Sequence, residues 1–223
     1  MSVELVNYLS GFVTRQRLEN FEKVLDSRTR YINLVCEDIY QSHNASALIR
    51  TCDCFGIQDF HILEKRNVFE VNPEVALGAS NWLSIKRYND SGGNFSPVFD
   101  KLRSDGYRIV ATTPGRYSVP LGELDLEKGP VSLLFGTEKE GLSPRLLREA
   151  DEFVRIEMFG FTESFNVSVS AGIILYNLRM KLQNSNADWH LTHGEKLSLK
   201  LDWLRKSIKS SDLIEKDFFR KIK

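Results

Sequence analysis

The sequence is poor in cysteine, in proline and in long apolar runs, and each shortage excludes a class of protein. Its 223 residues include three cysteines and six prolines. Cys36, Cys52 and Cys54 are odd in number and form no CxxC pair, so we expect reduced core thiols rather than a disulfide framework or a zinc ribbon. No apolar stretch approaches the ~18 residues that cross a bilayer, and the first residues do not resemble a secretion signal. A soluble, cytoplasmic protein without a membrane partner is expected.

Histidine is also scarce, and it offers little for a metal. Among the four histidines, His190 and His193 are three residues apart, a spacing that can place two side chains on one face of a helix. They come without a thiol partner. The sequence therefore predicts no metal site.

The chain has no net charge, which argues against a general polyanion binder, but its charges are unevenly distributed. Residues 1–30 contain five Lys or Arg against four Asp or Glu, residues 31–193 sixteen against twenty-one, and residues 194–223 nine against five. We therefore expect any contact with a phosphate backbone to be concentrated on the terminal segments.

Short apolar runs alternate with segments of helical spacing through most of the chain. This alternation predicts an α/β domain over residues 31–183, with a mainly parallel sheet and helices on both faces. A helical N-terminal extension is predicted over residues 1–30, and a basic C-terminal extension of two helices, the second capped by Asp212, over residues 184–223. The expected strands are 31–36, 59–63, 82–88, 107–112, 131–135 and 153–158, and the expected helices of the first two segments are 11–25, 45–55, 96–103, 143–150 and 166–182.

The first segment with chemical potential runs from His43 to Thr51, where a strand leads into a helix. Asn44 alone fits a helix N-cap, and Arg50 alone fits a solvated helix residue. At the carboxyl end of a parallel strand, where open α/β sheets bind their ligands, an amide and a guanidinium together can also hold a phosphate or a ribose hydroxyl.

The second segment is a turn bounded by Gly136 and Gly141 between a strand and a helix. Leu142-Ser143 stands where a P-loop has Lys-Ser or Lys-Thr, and the carboxylate of Glu138 would repel a phosphate. The turn is either simple strand-to-helix punctuation or part of a site for a neutral or cationic ligand, such as a sulfonium.

The third segment places four small polar side chains before and within the start of a long apolar helix: Ser164, Asn166, Ser168 and Ser170. One cap explains only part of this set, so a ligand is expected. Ser164 and Asn166 are the predicted functional pair, whereas Ser168 and Ser170 are interpreted as small packing residues. The preceding run 158–161, Met-Phe-Gly-Phe, is expected to give an apolar wall for an adenine ring and, at its glycine, a close backbone passage.

In order and spacing, the three segments resemble the motifs of the SpoU branch of the SPOUT RNA methyltransferases. The resemblance covers residues 31–183 and rests on the amino-acid sequences of segments 44–53, 135–141 and 164–169. Within that branch, the chain resembles the tRNA guanosine 2′-O-methyltransferases. The resemblance implies a C-terminal trefoil knot that forms the cofactor pocket, binding of S-adenosyl-L-methionine, and a homodimer with shared active sites.

The implied reaction is methyl transfer to the ribose 2′-oxygen of the D-loop guanosine at tRNA position eighteen. Methylation of ribosomal RNA or of another tRNA site is an alternative, and a non-catalytic RNA-binding module is an alternative of another class. A nucleotide-binding protein of the Rossmann type is disfavoured because no GxGxxG follows the first strand.

Residue by residue, the resemblance implies roles for nine positions. The implied catalytic residues are Arg50, Asn44, Glu138, Ser164 and Asn166, and the implied cofactor-binding residues are Thr112, Gly136, Ile156 and Phe165. The sequence departs from the family pattern at Phe165, where Leu is more common, and at Glu157, where Pro is usual.

Two roles remain open for Arg50, because a guanidinium is almost never neutral near pH 7. It either loses its proton transiently with help from a substrate phosphate, or it stays charged, positions that phosphate and stabilises the forming alkoxide.

Four cations outside the three motifs are predicted to contact RNA. Arg17 and Arg28 lie near the N-terminal helix, and Arg179 and Lys181 lie at the end of the long helix; the lysines of the C-terminal segment accompany them. For each of them, a solvated surface charge is the alternative interpretation.

Overall fold

The computed structural model describes residues 2–115, 117–137 and 140–222. These residues form two compact units. One extends from Arg30 to Trp189, and the other combines the residues before Arg30 with those from His190 onward. Both terminal segments thus belong to a single unit, and residues 184–189, predicted to start the C-terminal extension, belong to the larger one.

The described residues contain nine α-helices and seven strands. The helices are α1 Ser2–Ser10, α2 Arg15–Ser27, α3 Ser42–Cys54, α4 Pro73–Ala76, α5 Ser96–Ser104, α6 Pro144–Glu149, α7 Val167–Gln183, α8 His193–Ser207 and α9 Ser211–Ile222. The strands are β1 Ile32–Glu37, β2 Asp59–Glu64, β3 Ser84–Asn89, β4 Arg108–Thr112, β5 Val119–Pro120, β6 Val131–Phe135 and β7 Glu152–Arg155.

The seven strands form one sheet in the order β3-β2-β1-β6-β4-β7-β5, and all recorded pairings are parallel. Strands β1, β2 and β6 are buried along their whole length. The near-continuous apolar runs of β1 and β6 predict this, whereas β2 also buries Asp59, His61 and Glu64. Alternate side chains enter different cores: Leu133 packs with residues of α3 and α7, and Leu134 packs with residues of α5 and α6. The predicted α/β domain with helices on both faces of a mainly parallel sheet is confirmed.

The terminal unit is a helical cluster built around Trp203. Trp203 is 2% exposed, and its ring lies edge-on to the Phe21 ring at 5.4 Å between centroids. The Arg28 guanidinium lies 5.5 Å from the centroid of the Trp203 ring. The helix predicted over 11–25 corresponds to α2, but it starts only after Thr14, whose side chain accepts from the Arg17 amide; α1 was not predicted.

Ion pairs within the terminal unit neutralise much of its positive charge. Lys196 contacts Asp26 at 2.8 Å, and Lys200 pairs with Glu22. Arg205 binds both carboxylate oxygens of Glu215, at 2.7 and 3.0 Å. Fewer cations are therefore available to a phosphate backbone than the number of Lys and Arg residues in these segments suggests. Asp212 does not cap the last helix, because α9 already starts at Ser211.

Candidate active site

A cavity of about 390 Å³ opens where β4, β6 and β7 end. Carboxyl ends of parallel strands meet at one edge of a sheet, so the loops that follow these strands come together there. The start of α7 closes the remaining side. The lining residues come from four stretches: 112–114, 135–137 and 140–142 with Leu147, 154–156 with Met158, and 163–174 in part.

The glycine turn after β6 forms one wall through its backbone. Thr137 and Gly141 exchange two backbone hydrogen bonds of 3.0 and 3.1 Å, and Gly141 has a φ of +68°, which favours glycine. A Cβ on Gly136 would lie 2.1 Å from the carbonyl carbon of Gly141. Both glycines are therefore required by the shape of the turn. Glu138, the acidic residue predicted for catalysis, lies outside the described residues.

The end of β4 contributes the Thr112 hydroxyl, which already donates a hydrogen bond within the sheet. The Thr112 Oγ1 donates to the Leu134 carbonyl at 2.7 Å, and the Thr113 amide donates to the Val154 carbonyl at 3.0 Å. These bonds join β4 to both of its neighbours at the cavity. Thr112 therefore lines the cavity while its hydroxyl fixes the strand ends.

A chain of amide hydrogen bonds joins the first motif to the third. Asn166 caps α7, accepting at Oδ1 from the Ser168 amide at 2.9 Å and from its hydroxyl at 2.6 Å. Its Nδ2 donates to Asn44 Oδ1 at 3.1 Å, and Asn44 in turn donates to Gln41 Oε1 at 3.1 Å. Asn44 is only 3% exposed. The structure thus brings these two predicted residues into direct contact beside the cavity.

Gln41 is a member of this chain that the sequence interpretation missed. It precedes Asn44 by three residues, a spacing at which helical side chains are neighbours, and this spacing was the available signal. The prediction for the two later serines was also incomplete, because Ser168 bonds to Asn166 and Ser170 lines the cavity together with Ser164.

Arg50 is a predicted catalytic residue that lies neither in this cavity nor in the chain of amides beside it. Six residues of helix rotate a side chain by about 240° from its starting direction, so Asn44 and Arg50 leave α3 on different faces. Asn44 is buried, whereas Arg50 is exposed and is absent from the cavity lining. Its side chain makes no hydrogen bond or ion pair with another described residue.

The charges at the cavity suit a cation better than a phosphate. Glu140 and Glu163 both contribute to the lining. Among the described residues of the lining, Arg155 has the single guanidinium, and it donates to the Ser118 carbonyl. Apolar side chains supply much of the remaining surface, among them Leu142 and Ile174. This combination of apolar walls and carboxylates fits a small, positively charged organic ligand.

The profile of the SpoU rRNA Methylase family matches residues 31–176, which include all three motifs. The chain belongs to the SpoU rRNA methylase family. A "tRNA (guanosine(18)-2′-O)-methyltransferase" of Borreliella burgdorferi is 42% identical to this SpoU family member over 210 residues, which are 94% of each chain.

Two solved structures resemble this SpoU family member over more than two thirds of its length. The Aquifex aeolicus "TrmH/SpoU tRNA modifying enzyme" superposes with a TM-score of 0.76 at 27% identity, over 87% of this chain and 98% of that one. The "AdoMet bound rRNA methyltransferase" of Sinorhizobium meliloti has a TM-score of 0.58 at 25% identity, over 70% of this chain and 58% of that one.

All four residues predicted to bind the cofactor line the cavity of this SpoU family member: Thr112, Gly136, Ile156 and Phe165. The expected adenine wall at 158–161 is only partly present. Met158 lines the cavity, but the Phe159 ring is 95% exposed and the Phe161 ring is fully exposed. A Cβ on Gly160 would meet no atom within 4 Å, so no neighbouring segment of the described chain requires glycine there, and the close passage expected for a ligand stays a prediction.

Three of the four cations predicted to contact RNA hold the SpoU family member together instead. Arg28 is 1% exposed, and Arg179 is 5% exposed with its guanidinium 4.1 Å from the centre of the Trp189 ring. Burial lowers the pKa of Arg179. Lys181 donates to the carbonyls of Gly122 and Leu124 at 2.8 and 2.6 Å. These contacts correct the prediction for the three residues, and Arg17 alone of the four is exposed.

The described residues provide neither a cluster of metal ligands nor a membrane-spanning helix. No group of three or more His, Cys, Asp or Glu side chains that could hold a metal lies within residues 2–115, 117–137 and 140–222. Over those ranges, no helix has the length and apolarity needed to cross a bilayer. His190 and His193 do not share a helix face, because α8 begins only at His193.

Proposed function

We propose that this chain transfers a methyl group from S-adenosyl-L-methionine to the ribose 2′-oxygen of the tRNA D-loop guanosine at position eighteen. The observation that carries the proposal is the Asn166–Asn44 hydrogen bond, which connects the first and third motifs beside a cavity bounded by the second. The relative with 42% identity along 94% of the chain supports the choice of tRNA guanosine.

The residues of the cavity fit the proposed cofactor. Its volume of about 390 Å³ lies within the range of roughly 300–1,000 Å³ that is usual for small-molecule sites. Thr112, Gly136, Ile156 and Phe165 would hold the cofactor, and the carboxylates of Glu140 and Glu163 would favour its positive charge. When bound, S-adenosylmethionine supplies an electrophilic methyl group on a sulfonium, which is already a good leaving group.

The side chains of the first and third motifs would then align the ribose. Ser164 lines the cavity, and Asn166, fixed by the helix cap and by Asn44, offers a rigidly held amide next to it. In-line transfer requires alignment and removal of the hydroxyl proton, and amides held this way serve the alignment. Glu138 remains a proposed member of the site on the strength of its motif alone.

Arg50 would reach the active site of a second subunit. The α7 helix exposes Val169, Tyr176 and Met180, which recur at i, i+7 and i+11 and so share one face. Phe55, just after the helix that carries Arg50, contacts Tyr176 at 6.3 Å between ring centroids. An exposed apolar stripe of this kind is typical of a subunit interface, and we propose a homodimer built on it.

Mixing two inactive variants tests the shared site. Arg50→Ala and Asn166→Ala subunits, denatured together and refolded, should form heterodimers in which one of the two sites is intact, and about one quarter of wild-type activity should return. If Arg50 serves the cavity of its own subunit, mixing restores nothing. The pH–rate profile of Arg50→Lys separates the two roles of Arg50: if this residue abstracts the proton, the alkaline rise of the rate should move to lower pH, because lysine has the lower pKa, and an unmoved profile would make proton abstraction untenable.

The trefoil knot remains a proposal. It is supported by the position of β6, which pairs between β1 and β4 although both precede it in the chain, and by the convergence of three loops on one cavity. The terminal unit, in which Arg17 is exposed, is proposed to add to the RNA contact.

Substrate identity is decided by offering both RNAs. Purified protein with labelled S-adenosylmethionine should methylate an unmodified tRNA transcript, and a transcript with adenosine at position eighteen should lose most of the label. Nucleoside mass spectrometry of tRNA from cells lacking the protein should show loss of 2′-O-methylguanosine. Preferential labelling of a ribosomal RNA transcript would favour the alternative substrate, and absence of cofactor binding by calorimetry would favour the non-catalytic module.

A further inference from the structure

A second, open cavity of about 630 Å³ continues the first, and the proposed chemistry does not account for it. Six residues line both cavities: Thr113, Pro114, Arg155, Ile156, Met158 and Glu163. The second cavity adds Gly115 from the loop after β4, and Glu157 and Phe159 from the loop after β7. It is therefore a side chamber that communicates directly with the proposed methyl-donor site.

Phe159 is an unusual lining residue, because its ring is 95% exposed. An exposed aromatic ring at the mouth of a cavity contributes little to the stability of the fold, since almost none of its apolar surface is removed from water. It presents a flat surface on which another planar group can stack. Phe161, two residues further on, is also exposed but lines neither cavity.

The polar residues of the chamber specify the edge of such a planar group. The carboxylates of Glu157 and Glu163 both line it, and neither side chain makes an ion pair or hydrogen bond with another described residue. Glu157 lines only the second cavity. Two oxygens of one carboxylate match two neighbouring N–H donors. Because the Arg155 guanidinium already donates to the Ser118 carbonyl, hydrogen-bond acceptors prevail among the charged groups that the described lining residues offer to a ligand.

We propose that this chamber receives the base of the target guanosine, with Phe159 as its stacking surface and Glu157 as the acceptor for its Watson–Crick edge. The inference rests on the proposed function, because a ribose whose 2′-oxygen meets the methyl donor must leave its base next to the first cavity. Single-stranded bases stack on aromatic side chains and are read along their Watson–Crick edges. Guanine offers N1–H and the 2-amino group there, whereas adenine offers an acceptor at N1.

Substitutions at Phe159 test the stacking surface. Phe159→Leu should lower kcat/KM for tRNA about tenfold, and Phe159→Trp should keep it, because stacking on one base contributes roughly 1–3 kcal/mol, or about 5- to 150-fold. Cofactor affinity by calorimetry and the unfolding midpoint should not change, since the ring is exposed. Phe161→Leu is the matched control and should behave as wild type.

Glu157→Gln tests the reading of the base edge. A carboxamide replaces one acceptor by a donor and matches adenine, so the preference for guanosine over adenosine at the target position should fall at least tenfold. The ratio of activities on the two transcripts is measured for both the wild type and the variant. Any effect of the guanosine-to-adenosine change on RNA folding is the same for both proteins and cancels.

The inference is overturned if Phe159→Leu stays within twofold of wild type, or if Glu157→Gln keeps the wild-type preference. A monomeric Phe159→Leu in sedimentation would identify a second copy of the chain as the occupant and would also overturn it. These outcomes are distinct from failure of the proposed function, in which wild-type protein methylates no tRNA guanosine at all.

Discussion

The close backbone approach at Gly136 allows a quantitative prediction. In Gly136→Ala, the added Cβ starts 2.1 Å from the Gly141 carbonyl carbon and 2.2 Å from the Leu142 nitrogen, whereas real Cβ contacts are essentially never below 3.0 Å. Both obstructing atoms are backbone, so no side-chain rotation relieves the clash. The turn must open, and the two hydrogen bonds between Thr137 and Gly141 are then lost or strained.

The expected cost follows from these losses. Two hydrogen bonds at ~1 kcal/mol each, together with ~1–3 kcal/mol for overpacking, give about 3–5 kcal/mol of lost unfolding free energy. Substitutions at two other glycines, which lack this clash, provide a comparison. Gly141→Ala meets no atom within 4 Å but must keep a φ of +68°, which costs about 1–2 kcal/mol. Gly160→Ala has neither problem, and a change within about 1 kcal/mol is expected.

Urea unfolding followed by circular dichroism measures the stability of the three variants. Calorimetry measures their affinity for S-adenosylmethionine. Because Gly136 forms a wall, Gly136→Ala should also weaken cofactor binding by more than tenfold, beyond any effect of the other two substitutions. If Gly136→Ala is as stable as Gly160→Ala and binds the cofactor as wild type does, the turn does not depend on the close approach, and the reasoning is refuted.

Three further predictions concern single side chains. Asn166→Asp keeps the cap oxygen but loses the donor to Asn44, so it should retain the stability that Asn166→Ala loses, about 1 kcal/mol, while both variants lose methyl transfer; a fully active Asp variant would contradict this. Burial lowers the pKa of His61 from 6.5 to about 4, so the unfolded chain binds a proton that the folded one does not, and stability should fall by about 3 kcal/mol as the pH drops from 6.5 to 4. His61→Phe should lack that acid slope in urea midpoints, and an unchanged slope would refute the assignment. Thr192→Ala should cost about 1 kcal/mol through the capping box with Glu195, and a double-mutant cycle with Glu195→Ala should reveal the coupling; additive losses would exclude it.

The sheet could be predicted because its central strands are buried on both faces, and their sequences are therefore near-continuous apolar runs. Strand β6 matches its predicted bounds, and α5 differs by one residue. Strand β5 has only two residues, Val119–Pro120, which is too short for any periodicity to appear. Its place in the sheet depends on its partner β7, which no local pattern encodes.

Side-chain environment was harder to predict than backbone. Arg179 lies on the face of α7 that also carries Leu175, Leu178 and Leu182, so its helical position indicated burial while its charge suggested solvent. The outcome depends on Trp189, beyond the end of the helix, which covers the guanidinium. Phe159 is the opposite case, because apolar character suggested a buried wall and the loop after β7 leaves the ring in water.

The order of the strands has a consequence for a chain emerging from the ribosome. The residues that line the first cavity all lie between Thr112 and Ile174, so the first half of the chain supplies none of them. Until Val131–Phe135 has been synthesised, β1 and β4 both lack the partner that separates them in the sheet. A nascent chain arrested before Val131 would therefore carry one open edge on β1 and a β4 without either partner, because β7 also comes later, and unpaired strand edges are templates for aggregation. A chain held at that stage is therefore expected to need protection from aggregation that the completed sheet does not need.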